Sequence, residues 1–266
     1  MKKYASILTI IILVSISAGM VRAEDAMDIM KKSHLAYYYA GDDGVTKVTM
    51  KIINKKGRER LREFTMIRLD LEEGGKQKYY TYFNKPSDVS RMTFMVWKNT
   101  ESNDDRWLYV PAIDLVKRIS ADDKNSSFVG SDFSYEDVSG RLWTEDDHTL
   151  VSELETINDK PVYLISSRSK KEKDSFGEKK SWIDKETYLP LREEYYDDKG
   201  KLLRVFTADK IEIIKDIVTI TQRTMENVKK NQKTVIYFDG IDYNIGITDD
   251  IFTERFLKSP PRKFLN

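Results

Sequence analysis

Three carboxylates lie close together in a segment that spans residues 126–141 and reads "SSFVGSDFSYEDVSGR". Asp132, Glu136 and Asp137 are the residue types that glycosidic or other acid–base chemistry uses as a pair. The same spacing is typical of a helix start, with Asp132 as the N-cap and the acidic residues in the first turn. We prefer the second interpretation, because no other pattern in the chain supports catalysis.

The remaining groups that could act as catalysts are few. The chain has two histidines, His34 and His148, and no G-x-S-x-G motif, so a Ser-His-Asp hydrolase is not indicated. Both histidines are interpreted as structural or surface residues. The absence of cysteine excludes disulfides, thiolate nucleophiles and zinc-thiolate sites. The sequence therefore predicts that the protein is not an enzyme.

The stretch that begins at Asp123 does not fit a calcium-binding loop. In an EF-hand loop that starts there, the obligatory glycine is replaced by Phe128 and the bidentate glutamate by Ser134. No glycine-rich phosphate loop occurs elsewhere. We therefore expect neither a metal nor a cofactor.

The first 23 residues have the pattern of a secretory signal peptide: Lys2 and Lys3, then a short apolar run, then Val21-Arg22-Ala23. Cleavage after Ala23 is expected to release a soluble protein into the periplasm. Without the three basic residues of this segment, the 45 basic residues of the chain become 42 against 44 acidic ones. This balance does not favour nucleic-acid binding, which requires a basic excess.

The rest of the chain has one helical stretch followed by strands. Apolar residues recur at helical spacing over residues 26–39, and the helix should end near Gly41. After that the period becomes two, with a hairpin around Lys55-Lys56-Gly57. About a dozen strand-like runs with short turns predict an antiparallel meander, and we expect residues 24–266 to form a single domain.

A sheet of this size should curl and form a half-open β-barrel with an interior. Alternation along several strands indicates an apolar face, which is interpreted either as ordinary core or as the lining of a ligand cavity. The predicted lining residues are Met92, Phe94, Val96, Leu191, Tyr195, Leu203, Val205, Val218 and Ile220.

The segment at residues 126–141 is also predicted to cover this interior. A short helix around residues 131–139 would carry four apolar side chains towards the sheet: Phe128, Phe133, Tyr135 and Val138. Gly130 and Gly140 would bound it as flexible positions. Two interpretations remain open, a movable lid and a fixed plug.

Several runs resemble the outer-membrane lipoprotein-sorting family, a LolA-like group of bacterial periplasmic proteins. They are "VTMKIINKKGRERLREFTM", "WLYVPAIDLVKRIS", "GSDFSYEDVSG", "SWIDKETYLPLREEYYDDKGKLLRV" and "IFTERFL". The resemblance spans about residues 26–257. It implies an incomplete β-barrel with an N-terminal helix and a hydrophobic cavity that receives acyl chains of a lipoprotein or lipid on the way to the outer membrane.

The resemblance also implies partners. Members of the group are often associated with inner-membrane exporters of the resistance-nodulation-division type, and an outer-membrane acceptor is the other expected partner. Two alternatives to a carrier remain: a non-enzymatic adaptor or scaffold that is associated with such an exporter, and a lipid-modifying enzyme that uses the carboxylates of residues 132–137.

Overall fold

The computed structural model describes residues 24–171 and 174–265. The predicted signal peptide and its cleavage site lie outside these residues. Within them no helix is both long and apolar enough to cross a membrane. The helices are α1 (Ala26–Tyr38), α2 (Tyr135–Ser139) and α3 (Glu254–Lys258), and the strands are β1 (Asp43–Ile53), β2 (Glu59–Asp70), β3 (Gln77–Lys85), β4 (Thr93–Lys98), β5 (Asp105–Val110), β6 (Leu115–Ile119), β7 (Asp146–Ile157), β8 (Lys160–Ser169), β9 (Glu178–Asp184), β10 (Pro190–Tyr196), β11 (Leu202–Ile214), β12 (Ile217–Asn227) and β13 (Gln232–Tyr243).

The thirteen strands of the described residues form one antiparallel sheet. Its order is β6-β5-β4-β3-β2-β1-β13-β12-β11-β10-β9-β8-β7. The first and last strands of the chain's meander, β1 and β13, pair with each other in the middle of the sheet. β6 and β7 form its two edges, so the sheet curls without closing. The predicted mainly-β, half-open barrel is confirmed.

The N-terminal helix forms where the sequence predicts it, one residue shorter. Its buried residues recur at spacings of three and four, as in Ala26, Ile29 and Met30, which gives one apolar face. That face packs against Ile165 on β8 and Ile183 on β9. The helix therefore lies over the half of the sheet that ends at β7.

The hairpin at the start of the sheet is confirmed as well. Val48, Met50 and Ile52 on β1 are buried at alternate positions, as expected for a strand with one face towards the core. Gly57 in the turn has a φ of +74°, a conformation that glycine adopts without steric cost.

The C-terminal segment covers the convex face of the sheet, a role that the sequence analysis did not predict. Its apolar residues, Ile247, Ile251, Phe252 and Leu257, pack on Ile67, Tyr80, Met95 and Trp107 of β2 to β5. The carboxylate of Asp43 accepts hydrogen bonds of 2.8–3.1 Å from the backbone N–H groups of residues 245, 246 and 247, which fixes the start of this segment. The concave face is left to α1 and to residues 126–141.

Candidate functional site

Residues 126–141, here named the covering segment, lie across the concave face of the sheet. Phe128, Phe133, Tyr135 and Val138 are each at most 8% exposed and belong to the main apolar cluster. The rings of Phe128 and Tyr135 lie 5.4 and 5.2 Å from the ring of Phe94 on β4. The four apolar side chains predicted to face the sheet therefore do so, and they fill the interior.

The helix in this segment is shorter than predicted and starts at a different residue. Ser134, not Asp132, is the N-cap of α2: its hydroxyl accepts from the Asp137 N–H at 3.1 Å, and the Asp137 carboxylate accepts from the Ser134 N–H at 2.7 Å. This reciprocal pair is a capping box. The predicted helix around residues 131–139 with Asp132 as its N-cap was wrong. The capping carboxylate is that of Asp137, and the N-cap of a capping box lies three residues before it, at Ser134.

Asp132 instead attaches the covering segment to β13. Its carboxylate accepts hydrogen bonds from Gln232 Nε2 at 2.9 Å and Thr234 Oγ1 at 2.8 Å. Burial raises the pKa of Asp132 above its ordinary value. The contacts of this carboxylate are therefore those of an attachment point.

Ion pairs hold the helical end of the segment. Asp137 pairs with Arg204 on β11 at 2.7 Å, and Glu136 pairs with Lys124 at 2.5 Å. Burial acts to raise the pKa of Asp137, but attraction to Arg204 and the hydrogen bond from the Ser134 N–H outweigh it and lower the pKa. All three carboxylates that suggested acid–base chemistry are thus engaged in holding the covering segment.

A buried lysine contacts the end of the covering segment. Lys98, at the end of β4, is 2% exposed, and its ammonium donates to the carbonyl oxygen of Gly140 at 2.5 Å. Burial lowers the pKa of Lys98 from its ordinary value. Gly140 has a φ of +79°, and a side chain there would lie 2.8 Å from the ring of Tyr38, so glycine is required.

Next to the covering segment, the concave face has a partly open pocket of about 120 Å³. It lies between the end of α1, Val138 of the covering segment, and strands β1, β2, β12 and β13. Its walls are mainly apolar and aromatic, with Tyr37, Val218, Ile220 and Phe238 among them. Small-molecule pockets typically measure roughly 300–1,000 Å³. The pocket is therefore smaller than a typical small-molecule site.

Six of the nine predicted lining residues lie in the apolar cluster that contacts the covering segment. Val218 and Ile220 also line the pocket. The six residues are Met92, Phe94, Val96, Tyr195, Val218 and Ile220.

The other three predicted lining residues do not join this cluster. Leu191 and Val205 are buried outside the main apolar cluster, and Leu203 lines a separate depression beside Asp132. On β11 the inward face carries Arg204 and Phe206. The prediction that Leu203 and Val205 face the interior was therefore wrong. Alternation defines two faces of a strand but not which one is inside, and here the ion pair with the covering segment places an arginine inside.

Arg223 on β12 is a site residue that the sequence analysis missed. Its guanidinium carbon lies 5.4, 5.2 and 4.8 Å from the ring centres of Tyr37, Phe133 and Phe238. It lines the pocket and at the same time contacts the covering segment through Phe133. In "TQRTMEN" it reads as a solvent-facing residue of an alternating strand.

Both histidines have structural contacts, as predicted. His34 is buried on α1 among the rings of Tyr38, Tyr39 and Trp143, and burial sets its pKa well below the ordinary value. His148 shares hydrogen bonds with Ser167 and the carbonyl of Trp143. Over residues 24–171 and 174–265, no cluster of three or more His, Asp or Glu side chains is placed to hold a metal ion.

A half-open antiparallel sheet, with helical segments over its concave face, defines the LolA-like class of proteins. Residues 75–259 match a family model that is described as an uncharacterized protein, and the chain belongs to that family. No curated protein matches the chain.

Solved structures place the family beside the lipoprotein-sorting proteins. A DUF1329 family protein from Desulfovibrio piger is 29% identical, with a TM-score of 0.81 over 87% of this chain and 97% of that one. A putative outer membrane lipoprotein-sorting protein domain from Vibrio parahaemolyticus is 27% identical, with a TM-score of 0.80 over 88% and 98%. A LolA superfamily protein from Nitrosomonas europaea shares the fold at 17% identity, with a TM-score of 0.68 over 88% and 100%. The LolA-like resemblance inferred from the sequence is confirmed.

Proposed function

We propose that residues 24–266 act as a periplasmic carrier that shields the acyl chains of a lipoprotein or lipid in transit towards the outer membrane. The observation that carries this proposal is the filling of the concave face. Phe128, Phe133, Tyr135 and Val138 occupy it from a single surface segment, next to a pocket that is partly open. An acyl chain is the kind of ligand that can take the place of such side chains.

The energies of loading and of closure are of similar size. One chain of roughly 16 carbons gains on the order of 12 kcal/mol, at about 0.8 kcal/mol per buried CH₂. Displacing four buried apolar side chains costs roughly 1.5–3 kcal/mol each, or about 6–12 kcal/mol in total. The difference is small enough for the carrier to release its load, which a rigid empty cavity of the same area would not allow.

The covering segment is attached in a way that suits such an exchange. Its N-terminal part is joined to β13 by the hydrogen bonds of Asp132, whereas its helix is held by two ion pairs and one lysine hydrogen bond. Polar contacts of the helix can be exchanged for water when it leaves the sheet. In the proposal, the covering segment leaves the sheet with all four apolar side chains, and the hydrogen bonds of Asp132 are exchanged for water in the same way.

A second candidate function is a scaffold or adaptor for an inner-membrane exporter or an outer-membrane acceptor. It is favoured by the edge strand β7, on which Leu154 is 95% exposed and Val151 is 54% exposed. Exposed apolar side chains on an unpaired edge are typical of a contact surface. A carrier also needs such a surface for its donor and acceptor, so the two functions differ in whether the interior binds lipid.

Native mass spectrometry of the protein isolated from the periplasm under mild conditions tests the carrier. The expected result is a stoichiometric lipid that is lost on delipidation and regained when lipid is added back. A lipid-free protein that also fails to take up added lipid would contradict the carrier and support the scaffold. The control is a Val218→Asp variant, which places a charge on the pocket wall and should be isolated without lipid.

A further inference from the structure

Arg223 lies in the pocket without a carboxylate partner. Its side chain is about nine-tenths buried, with 9% of its surface exposed, and it projects from β12 into the mainly apolar pocket between α1 and the sheet. A guanidinium is charged at every pH at which the protein folds. Burying such a charge is unfavourable unless a counter-charge or another compensating interaction is present.

The other buried arginines in the described part of the chain have carboxylate partners. Arg62 pairs with Asp88 at 3.0 Å, and Arg106 pairs with Asp104 at 2.6 Å. Within residues 24–171 and 174–265, no carboxylate oxygen lies within 4.0 Å of the Arg223 guanidinium. The Nε–H group lacks a hydrogen-bond acceptor in all three arginines, so the missing carboxylate is what sets Arg223 apart. Two buried arginines are thus paired with a carboxylate, whereas the charge of Arg223 faces the pocket without one.

Three aromatic rings partly offset the cost of burying the Arg223 charge. The guanidinium lies near the rings of Tyr37, Phe133 and Phe238, and it donates a hydrogen bond to the Tyr37 hydroxyl. Because that oxygen is an acceptor here, the O–H of Tyr37 remains available as a donor. One of the three rings, Phe133, belongs to the covering segment and leaves if that segment is displaced.

We propose that Arg223, assisted by the Tyr37 hydroxyl, binds the anionic group of the acyl ligand, a carboxylate or a phosphate. This inference rests on the proposed carrier function and adds the position of the ligand's head. The head would lie between α1 and β12, and the chain would follow the path that the covering segment now fills. Displacement of Phe133 removes one aromatic contact from the arginine at the step in which the anion arrives, so loading and lid opening are coupled.

Three ligands of equal chain length test the proposal: decanoate, decyl phosphate and decanol, each titrated against the protein from which lipid has been removed. The expected result is that one or both anions bind the wild-type protein roughly 10- to 100-fold more tightly than decanol, as hydrogen bonds to charged groups allow. In Arg223→Met this preference should disappear while decanol binding is kept. Arg223→Lys should keep part of the preference, and Tyr37→Phe should reduce it.

The outcomes separate this inference from the carrier function. Equal binding of decanoate, decyl phosphate and decanol by the wild-type protein would overturn the role of Arg223 and leave the carrier intact. Binding of none of the three would overturn both. Inorganic phosphate or acetate that binds as tightly as its alkyl counterpart would overturn the lipid as the source of the anion. Melting curves check folding, and Arg223→Met should melt no lower than the wild type, because it removes a buried charge.

Discussion

The carboxylate of Asp137 on α2 accepts a hydrogen bond of 2.7 Å from the guanidinium of Arg204 on β11. Both side chains are mostly buried, at 16% and 17% exposure. The contact joins the helical end of the covering segment to the wall of the barrel. It is one of two ion pairs that hold this segment over the concave face, the other being Glu136 with Lys124.

We expect Asp137→Asn to raise the affinity for an acyl ligand. Hydrogen bonds to charged groups contribute about 1.5–3 kcal/mol, so weaker closure should raise affinity roughly 10- to 100-fold. Calorimetric titration with a soluble lipid analogue measures the effect. Asp104→Asn is the matched control, since it breaks the pair with Arg106 outside the covering segment and should lower the melting temperature only. Unchanged affinity in Asp137→Asn would mean that this pair does not hold the lid closed.

Truncation of Phe133 and Tyr135 to alanine tests whether the aromatic residues compete with the ligand. If they do, affinity rises, by an amount bounded by roughly 1.5–3 kcal/mol per side chain. If they grip the ligand, affinity falls by a similar amount; if the segment is a fixed plug, only thermal stability falls. Phe206→Ala, a truncation in the same cluster but on the wall, is the control and should lower stability without raising affinity.

A charge on the pocket wall should block uptake of a neutral alkyl ligand. Val218 is half-buried and lines the pocket, so Val218→Asp should abolish binding and leave a folded sheet, as judged by circular dichroism. Leu203→Asp is the matched control, because Leu203 lies in a separate depression and the same change there should leave binding intact. Equal loss of binding in both variants would contradict the assigned position of the site.

The stability of the protein should fall as the pH drops below about 6.5. Burial keeps the pKa of His34 well below its ordinary 6.5, so in this range the unfolded chain binds a proton that the folded protein does not. Asp70 acts in the opposite sense: burial raises its pKa from 3.8 to about 6, so it adds stability as the pH falls through that window. Denaturant titrations at pH 7.5, 6.5 and 5.5 measure the balance.

Two variants test whether His34 and Asp70 cause this pH dependence of the free energy of unfolding. His34→Gln should remove part of the loss between pH 6.5 and 5.5, and the rest should come from His148, whose pKa burial also lowers. For each histidine the loss is limited to about 1.4 kcal/mol per pH unit. Asp70→Asn should steepen the loss below pH 6. A wild-type stability that is flat over this range, and equally flat in both variants, would contradict the assignment.

The secondary structure was predictable from the sequence because its periods are strong. Strand-like runs separated by turn residues gave the antiparallel sheet, and apolar residues at helical spacing gave α1. The segment that covers the convex face was not predicted, since its apolar residues, within 245–257, contact strands that are distant in the chain. One example is the Tyr80 hydroxyl, which donates to the carbonyl of Phe256 at 2.7 Å.

The site was harder to predict because it depends on irregularities. Strict alternation from Val218 and Ile220 places Gln222 inside the barrel and Arg223 outside. The pairing of β11 with β12 shifts register between Ile220 and Gln222, and Arg223 faces inward as a result. The N-cap at Ser134 was not predicted because Asp132, two positions earlier, is also a favourable N-cap residue. In the structure Asp132 bonds to Gln232 and Thr234 on β13 instead.

The central claim is that an acyl chain takes the place of the covering segment. Because the chain has no cysteine, a single one can report the exposure of any position. Val138 on the covering segment and Val96 on β4 belong to the same apolar cluster and are 7% and 0% exposed. Val138→Cys therefore reports on the segment, and Val96→Cys is its control on the wall.

The deciding measurement is the rate at which a soluble thiol reagent labels each variant with and without a saturating acyl ligand. The account predicts that ligand accelerates labelling at position 138, because the segment leaves the sheet, and leaves labelling at position 96 slow, because the ligand covers the wall. Labelling at position 138 that stays slow when ligand is shown to be bound would contradict displacement of the segment.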